Sequence, residues 1–341
     1  MITVEKGGAL TTIQDQGRFC YEKFGISPAG PMDERSFFLA NMLVGNPRNT
    51  AALEMTIVGP TLKFNESTVI AITGCNMHPV LNGKPLPLYT AVSVTANDTI
   101  RFGIATIGCR AYLAVAGGID VPMVMNSRAT SIQNRVGGLS GQKLKNGDKL
   151  QIGKATKNLC ELTGKYLSVE QVGTKQPTVV RVILGPQKNE FTELGINTFL
   201  SSTYKVSVES NRMAYRLLGN KIEHSGDGNI ISDGIATGAI QVPQAGLPIV
   251  MLAERQTVGG YAKIATIISI DLPKIGQCRP DDEIKFEEID INNAQILYRE
   301  YRKELDSIEY KLAKQKPSGK IQHFTITIKN KTFQVVTKKL E

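Results

Sequence analysis

The segment from Ile230 to Tyr261, IISDGIATGAIQVPQAGLPIVMLAERQTVGGY, constrains the fold of this chain more than any other stretch. It contains two short apolar runs, residues 238–242 and 248–252, each bounded by glycine or proline. Such runs are typical of buried strands. The second run leads directly into the polar residues 254–257 and then into two glycines. Polar side chains at the end of a buried strand, next to a flexible backbone, often line a binding site.

The rest of the sequence predicts many short strands separated by turns. Residues 2–14 predict one strand, and Asn82-Gly83 predicts a hairpin turn. Asp33 is a predicted N-cap for the helix that follows it. Residues 179–184 predict a further strand, and residues 212–218 predict a short helix. Short strands with frequent glycine turns favour a mainly β fold built from barrels or sandwiches.

Pattern and composition divide the chain into four parts. Residues 1–153 and 177–291 are two β-rich subdomains, and the length of 341 residues is sufficient for two domains. Between them, residues 154–176 are polar, rich in Lys and Thr and weakly patterned, which is typical of a linker. Residues 292–341 form a tail of a different character.

Two elements are predicted in this tail. Apolar residues step by three and four from Ala294 to Leu312, so residues 293–315 predict an amphipathic helix. After a Pro-Ser-Gly sequence, residues 322–340 alternate apolar and polar side chains and predict a β-hairpin. This hairpin resembles the opening strands of a biotin carrier domain. No Met-Lys-Met attachment sequence occurs in the chain, so biotin is not expected to be carried covalently.

The net charge of +9 is unevenly distributed along the chain. Residues 292–341 hold 11 Lys and Arg against 5 Asp and Glu, so most of the excess lies in the tail. Together with the absence of Trp and of zinc-finger patterns, this distribution argues against nucleic-acid binding. No run approaches the roughly 20 apolar residues of a membrane-spanning helix. Because charged residues also occupy the place of a signal peptide's apolar segment, we expect a cytoplasmic protein.

Cysteine and histidine give no indication of a metal centre. The five cysteines are widely spaced and never occur as Cys-x-x-Cys, and the three histidines are equally scattered. This spacing argues against a disulfide scaffold and a structural zinc site, and no metal is predicted. The sequence also lacks a P-loop and the Gly-x-Ser-x-Gly and His-Glu-x-x-His motifs in a supporting context.

Four long motifs resemble one known family. They are QVPQAGLPIVMLAERQTVGGY in the opening segment, TTIQDQGRFCYEKFGISPAGPMDERSFFLANMLVGNP at 11–47, RAYLAVAGGIDVP at 110–122 and SNRMAYRLLG at 210–219. They resemble the KipA family, also called allophanate hydrolase subunit 2 or the C-type subunit of 5-oxoprolinase, over about residues 2–290. The family includes biotin-dependent carboxyltransferase-like, oxoprolinase and regulatory members. The resemblance implies two cyclophilin-like β-barrel subdomains with short helices.

Three residues are the candidate catalytic groups. The guanidinium of Arg255 can hold a carboxylate, phosphate or carboxybiotin oxygen through two hydrogen bonds, although a salt bridge with Glu254 is the simpler alternative. Gln256 offers a donor and an acceptor for an amide or ureido group. Asp15 can act as a base or orient Arg18, although Asp before a turn is also ordinary turn chemistry.

Seven further residues are candidates for substrate binding. Arg212 can bind a carboxylate or belong to a helix capped by Ser210. The family usually has Asp and Gly where this chain has Asn211 and Ala214, which weakens an acid–base role there, and it usually has Asp at Glu254. Two of the remaining candidates, Gln14 and Arg18, form a polar group near the N-terminus, and Gln241 is an amide inside an apolar strand. The last three lie at the end of the opening segment: Thr257, Gly259 and Gly260.

The resemblance supports three functions. The first is that of one component of an ATP-dependent 5-oxoprolinase that opens 5-oxoproline to L-glutamate. Its partners would be a KipI-like subunit and a LamB/YcsF-like subunit, and ATP would be used by the complex. The second is carboxyl transfer from carboxybiotin, held on a separate carrier, to urea or a similar amide. The third is a non-catalytic regulator that binds a KipI-like kinase inhibitor.

Overall fold

The computed structural model describes residues 1–169 and 177–316, together with strands at 322–328 and 331–337. Short 3₁₀ turns lie at Glu22–Phe24, Lys188–Glu190 and Ser269–Asp271. The elements of the first half are β1 Ile2–Lys6, β2 Leu10–Gln14, α1 Glu34–Leu43, β3 Ala52–Thr56, β4 Thr61–Phe64, β5 Thr68–Gly74, β6 Val80–Leu81, β7 Lys84–Pro85, β8 Ala91–Val94, β9 Thr99–Arg101, β10 Arg110–Val115, β11 Ile119–Asp120, β12 Lys149–Ile152 and α2 Leu159–Leu162.

The first half is built from two sheets with a shared core. Their strand orders are β11-β12-β1-β4-β9-β6-β7 and β2-β3-β10-β5-β8. Buried side chains from both sheets, among them Ile2, Leu53 and Phe64, pack in one cluster. The prediction of a single strand over residues 2–14 is wrong. The chain changes sheet between β1 and β2 because it turns at Gly8, whose φ of +73° favours glycine.

The second half closes into a barrel. Its elements are β13 Thr178–Leu184, α3 Glu193–Ser201, β14 Thr203–Val206, β15 Ala214–Leu218, β16 Asn229–Gly234, β17 Ala239–Gln241, β18 Ile249–Met251, β19 Val258–Tyr261, β20 Lys263–Ile267, α4 Leu272–Gln277 and β21 Glu283–Glu288. The barrel order is β13-β20-β17-β18-β15-β14-β21, and the parallel pairing of β13 with β21 closes it. Strands β16 and β19 pair separately as an arm beside the barrel.

The mainly β fold is confirmed, and so are several local predictions. The two apolar runs of the opening segment are the neighbouring strands β17 and β18. The side chain of Asp33 caps α1 by accepting the Ser36 N–H at 2.9 Å. The predicted helix at 212–218 is wrong, because β15 occupies this stretch. There Tyr215 and Leu217 point into the barrel core while their neighbours are more exposed, which is the period of a strand.

The tail helix, α5 Ile291–Lys314, is confirmed and packs against the first half. Its Leu305 and Leu312 are buried in the cluster formed by α1 and the sheet beside it. On its exposed flank, Arg35 pairs with Glu304 at 2.7 Å. Strands β22 Gln322–Ile328 and β23 Lys331–Thr337 form the predicted hairpin. None of the described helices combines the length and apolar character needed to cross a lipid bilayer.

The predicted linker is ordered against the first half where it is described. Leu162 of α2 is buried in the same cluster as α1, and Leu167 packs against that cluster. The Nζ of Lys165 donates to the Leu312 carbonyl of α5 at 2.8 Å. Residues 170–176 of the predicted linker lie outside the described residues, so the linker as a whole stays a prediction.

Two truncations of the tail test how much its hairpin and its helix each contribute to thermal stability. We expect deletion of residues 317–341 to change Tm by less than about 2 °C, because the buried contacts of α5 end before this point. Deletion from residue 291 onward is the matched comparison. It uncovers the apolar surface beneath Leu305 and Leu312, each worth about 1.5–3 kcal/mol, and should lower Tm by several degrees. Equal Tm losses in both truncations, measured by differential scanning fluorimetry, would contradict this assignment.

Candidate functional site at the junction of the two halves

A buried ionic network joins the two halves. Glu54, on β3 of the first half, accepts hydrogen bonds through Oε2 from the Met32 N–H at 2.8 Å and the Tyr112 hydroxyl at 2.7 Å. Its Oε1 accepts from Nη1 of Arg212 in the second half. The Nε of Arg212 then donates to Oε1 of Glu254 at 2.7 Å. Because the three charged side chains are buried and mutually paired, removal of any one of them would leave an uncompensated buried charge at the junction.

The structure places Arg212 inside this network. Its Nη2 donates to the Gly30 carbonyl at 2.7 Å, so every nitrogen of the guanidinium has a protein partner. The other carboxylate oxygen of Glu254 accepts the N–H groups of Ile132 and Gln133 at 3.0 and 3.1 Å. Glu254 therefore pairs with Arg212 and not with Arg255. The substrate-binding role of Arg212 stays a prediction that these contacts do not favour.

Gln14 is fully buried and holds the first half together. Its Nε2 donates to the Thr12 hydroxyl at 2.9 Å and to the Thr130 carbonyl at 3.0 Å. Its Oε1 accepts the Gly30 N–H at 3.1 Å. These contacts satisfy a buried amide, as the burial of a polar group requires. They connect β2 to two loops at the junction.

Asp15 anchors the loop that follows β11. Its carboxylate accepts the Gly17 N–H at 2.9 Å within its own turn. It also accepts the Ser127 hydroxyl at 2.6 Å and the Arg128 N–H at 2.5 Å. The carboxylate is thus engaged in positioning two loops. Its proposed role as a base or as a group that orients Arg18 stays a prediction.

Arg18 and Arg255 differ from these residues because they retain unused donors. Arg18 is fully buried, and its Nη2 donates to the Ala129 carbonyl. Its Nε and Nη1 have no hydrogen-bond partner among the described residues. Arg255 is only 6% exposed, and its Nε donates to the Ile235 carbonyl at 2.7 Å. Its Nη1 likewise lacks a partner in the described part of the chain.

Both guanidinium groups lie in a desolvated environment. Burial lowers the pKa of Arg18, while the fields of Asp15 and Glu254 raise it. Burial also lowers the pKa of Arg255, and the opposing field is that of Glu22 from the first half. Arginine nevertheless stays protonated in proteins. A buried donor left unpaired costs about 1–3 kcal/mol, so these N–H groups are well suited to a carboxylate or phosphate.

A separate cleft of about 450 Å³ lies on the outer face of β15, β17 and β18. Its lining includes the amides of Gln241 and Gln256, the charged pair Glu209 and Arg216, and several apolar residues: Met213, Leu247, Ile249 and Met251. A Cβ at Gly259 would lie 2.8 Å from Nε2 of Gln241 and 3.6 Å from Nε2 of Gln256. The glycine therefore leaves room for both amides. The cleft offers two primary amides over an apolar floor.

The predicted site residues thus divide between two places. Arg255 contributes to the junction and does not line the cleft, whereas the next residue, Gln256, lines the cleft. Thr257 accepts the Ile235 N–H through its carbonyl at 3.0 Å. Gly260 lies within β19. Arg18 bonds the loop whose backbone binds Glu254, the residue before Arg255. Gln241 lies apart from them, on strand β17 of the barrel.

Two residues of the junction, Glu54 and Tyr112, were not among the site residues predicted from the sequence. Glu54 is a charged residue inside the buried strand ALEMT, and this mismatch with its apolar neighbours was the available signal. Nothing local distinguishes Tyr112, whose hydroxyl contact with Glu54 depends on the pairing of β3 with β10. Residues 1–169 and 177–316 contain no group of three or more His, Cys, Asp or Glu arranged to hold a metal ion.

Residues 24–288 match the family model of the carboxyltransferase domain, subdomains A and B. The chain is also 34% identical to the C-type subunit of 5-oxoprolinase from Escherichia coli, over 92% of this chain and 99% of that protein. The chain belongs to the carboxyltransferase-domain family. The matched residues contain three of the four sequence motifs in full and the motif at 11–47 from residue 24 onward, and they include Glu54, Arg212 and Glu254 of the junction.

Larger proteins contain the same carboxyltransferase domain as one part of a longer chain. Urea amidolyase of Saccharomyces cerevisiae is 34% identical over 87% of this chain, but the match spans only 17% of that protein. The crystal structure of Kluyveromyces lactis urea carboxylase superposes with a TM-score of 0.83 and 31% identity, over 90% of this chain and 29% of that one. The domain therefore occurs both as a separate protein and inside multidomain enzymes.

Proposed function

We propose that this chain is one component of an ATP-dependent 5-oxoprolinase complex that opens 5-oxoproline to L-glutamate. One observation carries the proposal: the similarity to the Escherichia coli 5-oxoprolinase component extends over 99% of that protein, end to end. The match to urea amidolyase instead covers a small part of a much longer chain. An end-to-end match of this kind supports the proposal that the chain acts as a separate component of a 5-oxoprolinase complex.

The junction arginines supply the chemistry that this reaction requires from a binding component. 5-Oxoproline carries a carboxylate, and its lactam carbonyl develops negative charge when water attacks. The unused N–H groups of Arg18 and Arg255 can bind the carboxylate and stabilise that charge in a desolvated site. We assign carbonyl activation by ATP to the complex as a whole, because this chain has no recognisable phosphate-binding loop.

The proposal includes two partners, a KipI-like subunit and a LamB/YcsF-like subunit, in the cytoplasm, where ATP is available. The network of Glu54, Arg212 and Glu254 ties the two halves together next to Arg255, the less buried of the two arginines. Reconstitution of the three purified components with 5-oxoproline and ATP tests the function. The expected result is glutamate formation coupled to ADP formation.

The isolated chain is expected to show no measurable hydrolysis of 5-oxoproline. The described polar groups at the junction include neither an activated nucleophile nor a metal cluster, so the remaining chemistry must come from the partners. The check is an assay of this chain by itself at the concentration used for the complex. Robust ATP-dependent turnover by this chain alone would overturn the division of labour. Tight partner binding without turnover in the full complex would instead favour the regulatory function.

Carboxyl transfer from carboxybiotin to urea or a related amide is the second candidate. The superposition on Kluyveromyces lactis urea carboxylase, with a TM-score of 0.83, favours it. In this function the junction arginines would bind the carboxyl group carried by biotin on a separate protein. Avidin distinguishes the two functions in the reconstituted assay. It should abolish a biotin-dependent reaction and leave 5-oxoproline hydrolysis unchanged.

The amides of the barrel cleft can be tested separately. Gln241→Leu removes a hydrogen bond from Nε2 to the Tyr261 carbonyl that is already long, at 3.5 Å. We expect the free energy of unfolding to fall by no more than about 1.5 kcal/mol, the net value of an ordinary hydrogen bond. If the cleft reads the lactam amide, KM for 5-oxoproline should rise at least tenfold. An unchanged KM would restrict substrate binding to the junction.

A further inference from the structure

Large apolar side chains are exposed on two segments around Arg18. Phe19 and Phe24, on the segment after β2, are 55% and 66% exposed. Met123, on the loop after β11, is 57% exposed. Three further exposed apolar residues lie on the same loop: Val124, Ile132 and Leu139. We call these six residues the junction rim.

Hydrogen bonds tie the two rim segments together around the arginine. The Thr130 N–H donates to the Ile13 carbonyl at 2.8 Å, at the base of both segments. Arg18 itself reaches the Ala129 carbonyl, and Asp15 binds Ser127. Further along the same loop, the N–H groups of Ile132 and Gln133 donate to Glu254, the residue before Arg255. The apolar rim is therefore built on the same backbone that positions the unused guanidinium donors.

The charge of this surface complements an acidic partner. Residues 121–141 contain two arginines and no Asp or Glu. Arg128 pairs with Asp120, just before this range, at 3.3 Å, so Arg135 supplies the excess positive charge. On the other segment, the Nζ of Lys23 lies 5.0 Å from the centroid of the Phe24 ring, in cation–π geometry. Arg135 is exposed. On the segment after β2, Lys23 is balanced by the adjacent Glu22. The rim thus combines exposed apolar groups with the positive charge of Arg135.

We propose that the junction rim docks a protein partner whose contacting face carries apolar side chains and carboxylates, and that this partner covers the loop that encloses Arg18. Phe, Met and Arg are enriched in the buried cores of protein interfaces relative to the rest of the protein surface. In urea amidolyase the matched region is 17% of the chain, so this domain operates there beside other protein segments. The identity of the partner as the KipI-like subunit rests on the proposed function.

Matched surface variants test the apolar part. Phe24→Glu and Met123→Glu place a carboxylate on each rim segment, and Leu194→Glu on α3, where Leu194 is 65% exposed, is the control. We expect the Kd for the purified KipI-like subunit, measured by biolayer interferometry, to rise at least tenfold for both rim variants and less than twofold for the control. Unchanged Tm values would show that all three variants are folded.

The charge of the partner is tested in the same experiment. Arg135→Glu should weaken binding at least threefold, and the effect should shrink as salt is raised, whereas Arg299→Glu on α5 should have no effect. Three results would each overturn the docking assignment: loss of binding in the two control variants, wild-type affinity in both rim variants, or no binding of the KipI-like subunit to the wild-type chain.

The outcome is separable from that of the proposed function. The docking assignment is decided by Kd values alone. The function is decided by glutamate formation in the wild-type complex. A complex that binds through the rim but does not hydrolyse 5-oxoproline would retain the first and reject the second.

Discussion

Replacement of Arg255 by lysine is expected to reduce kcat/KM of the reconstituted complex almost as strongly as replacement by alanine. The expected loss is about 2–4 kcal/mol of transition-state stabilisation, or roughly 30- to 1,000-fold, the scale for one preorganised donor. The reason is geometric. Lysine has three donors on one nitrogen, so it cannot reproduce the separate positions of Nε, which bonds the Ile235 carbonyl, and Nη1, which is left for a ligand oxygen.

Stability must be measured beside activity to interpret these variants. The lost bond to Ile235 is made by a charged donor and should lower the free energy of unfolding by about 1.5–3 kcal/mol. Arg101→Lys, at the exposed end of β9 in the first half, is a matched control for the chemical change and should be neutral. Full activity of Arg255→Lys, or an unfolding midpoint low enough to explain the lost activity, would make this residue structural.

The second large effect is expected from Arg212→Ala. This change removes the ion-pair partner of the buried Glu254 and leaves Glu54 with only Arg110, whose Nε lies 3.8 Å from its Oε1. Removal of one member of a buried pair costs about 3–5 kcal/mol. Because the network joins β3 to the loop after β18, the loss should appear as a lower urea midpoint. Activity should fall only to the extent that the junction loosens.

The exposed ion pair of Arg216 with Glu209, at 3.6 Å, provides the control. Arg216→Ala should change the free energy of unfolding by less than about 1 kcal/mol, as is usual for surface pairs. A small effect of Arg212→Ala, similar to that of the control, would show that the junction does not depend on the buried network. A wild-type urea midpoint with lost activity would return Arg212 to the substrate-binding candidates.

Arg212 and Arg255 both lie at the junction but have different hydrogen-bond partners, and therefore different roles. Arg212 meets two carboxylates and a carbonyl, so its donors are used within the fold. Arg255 meets one carbonyl and the field of Glu22, so part of its fork remains available. Nothing in their immediate sequence neighbours distinguishes the two guanidinium groups. Only the distribution of partners across the junction separates a structural guanidinium from one that can bind a ligand.

Features that depend on neighbours in the sequence were predictable. The strands β17 and β18, the Asp33 cap of α1 and the turn at Asn82-Gly83 follow from local apolar runs, capping chemistry and left-handed turn residues. The 24 residues of α5 follow from a repeated three-and-four spacing. Each of these predictions depends on residues within one element or one turn, so the spacing of residue types along the sequence is sufficient to predict the element.

The sequence by itself therefore determined the mainly β character, most of these local elements and a set of polar candidates, because spacing and residue type govern local structure. Tertiary structure decided that 212–218 is a barrel strand, that Arg212 bonds Glu54 from 158 positions away, and that Arg255 and Gln256 belong to different surfaces. The physical reason is that burial and the pairing of charges depend on which distant strands become neighbours. No local pattern carries that information.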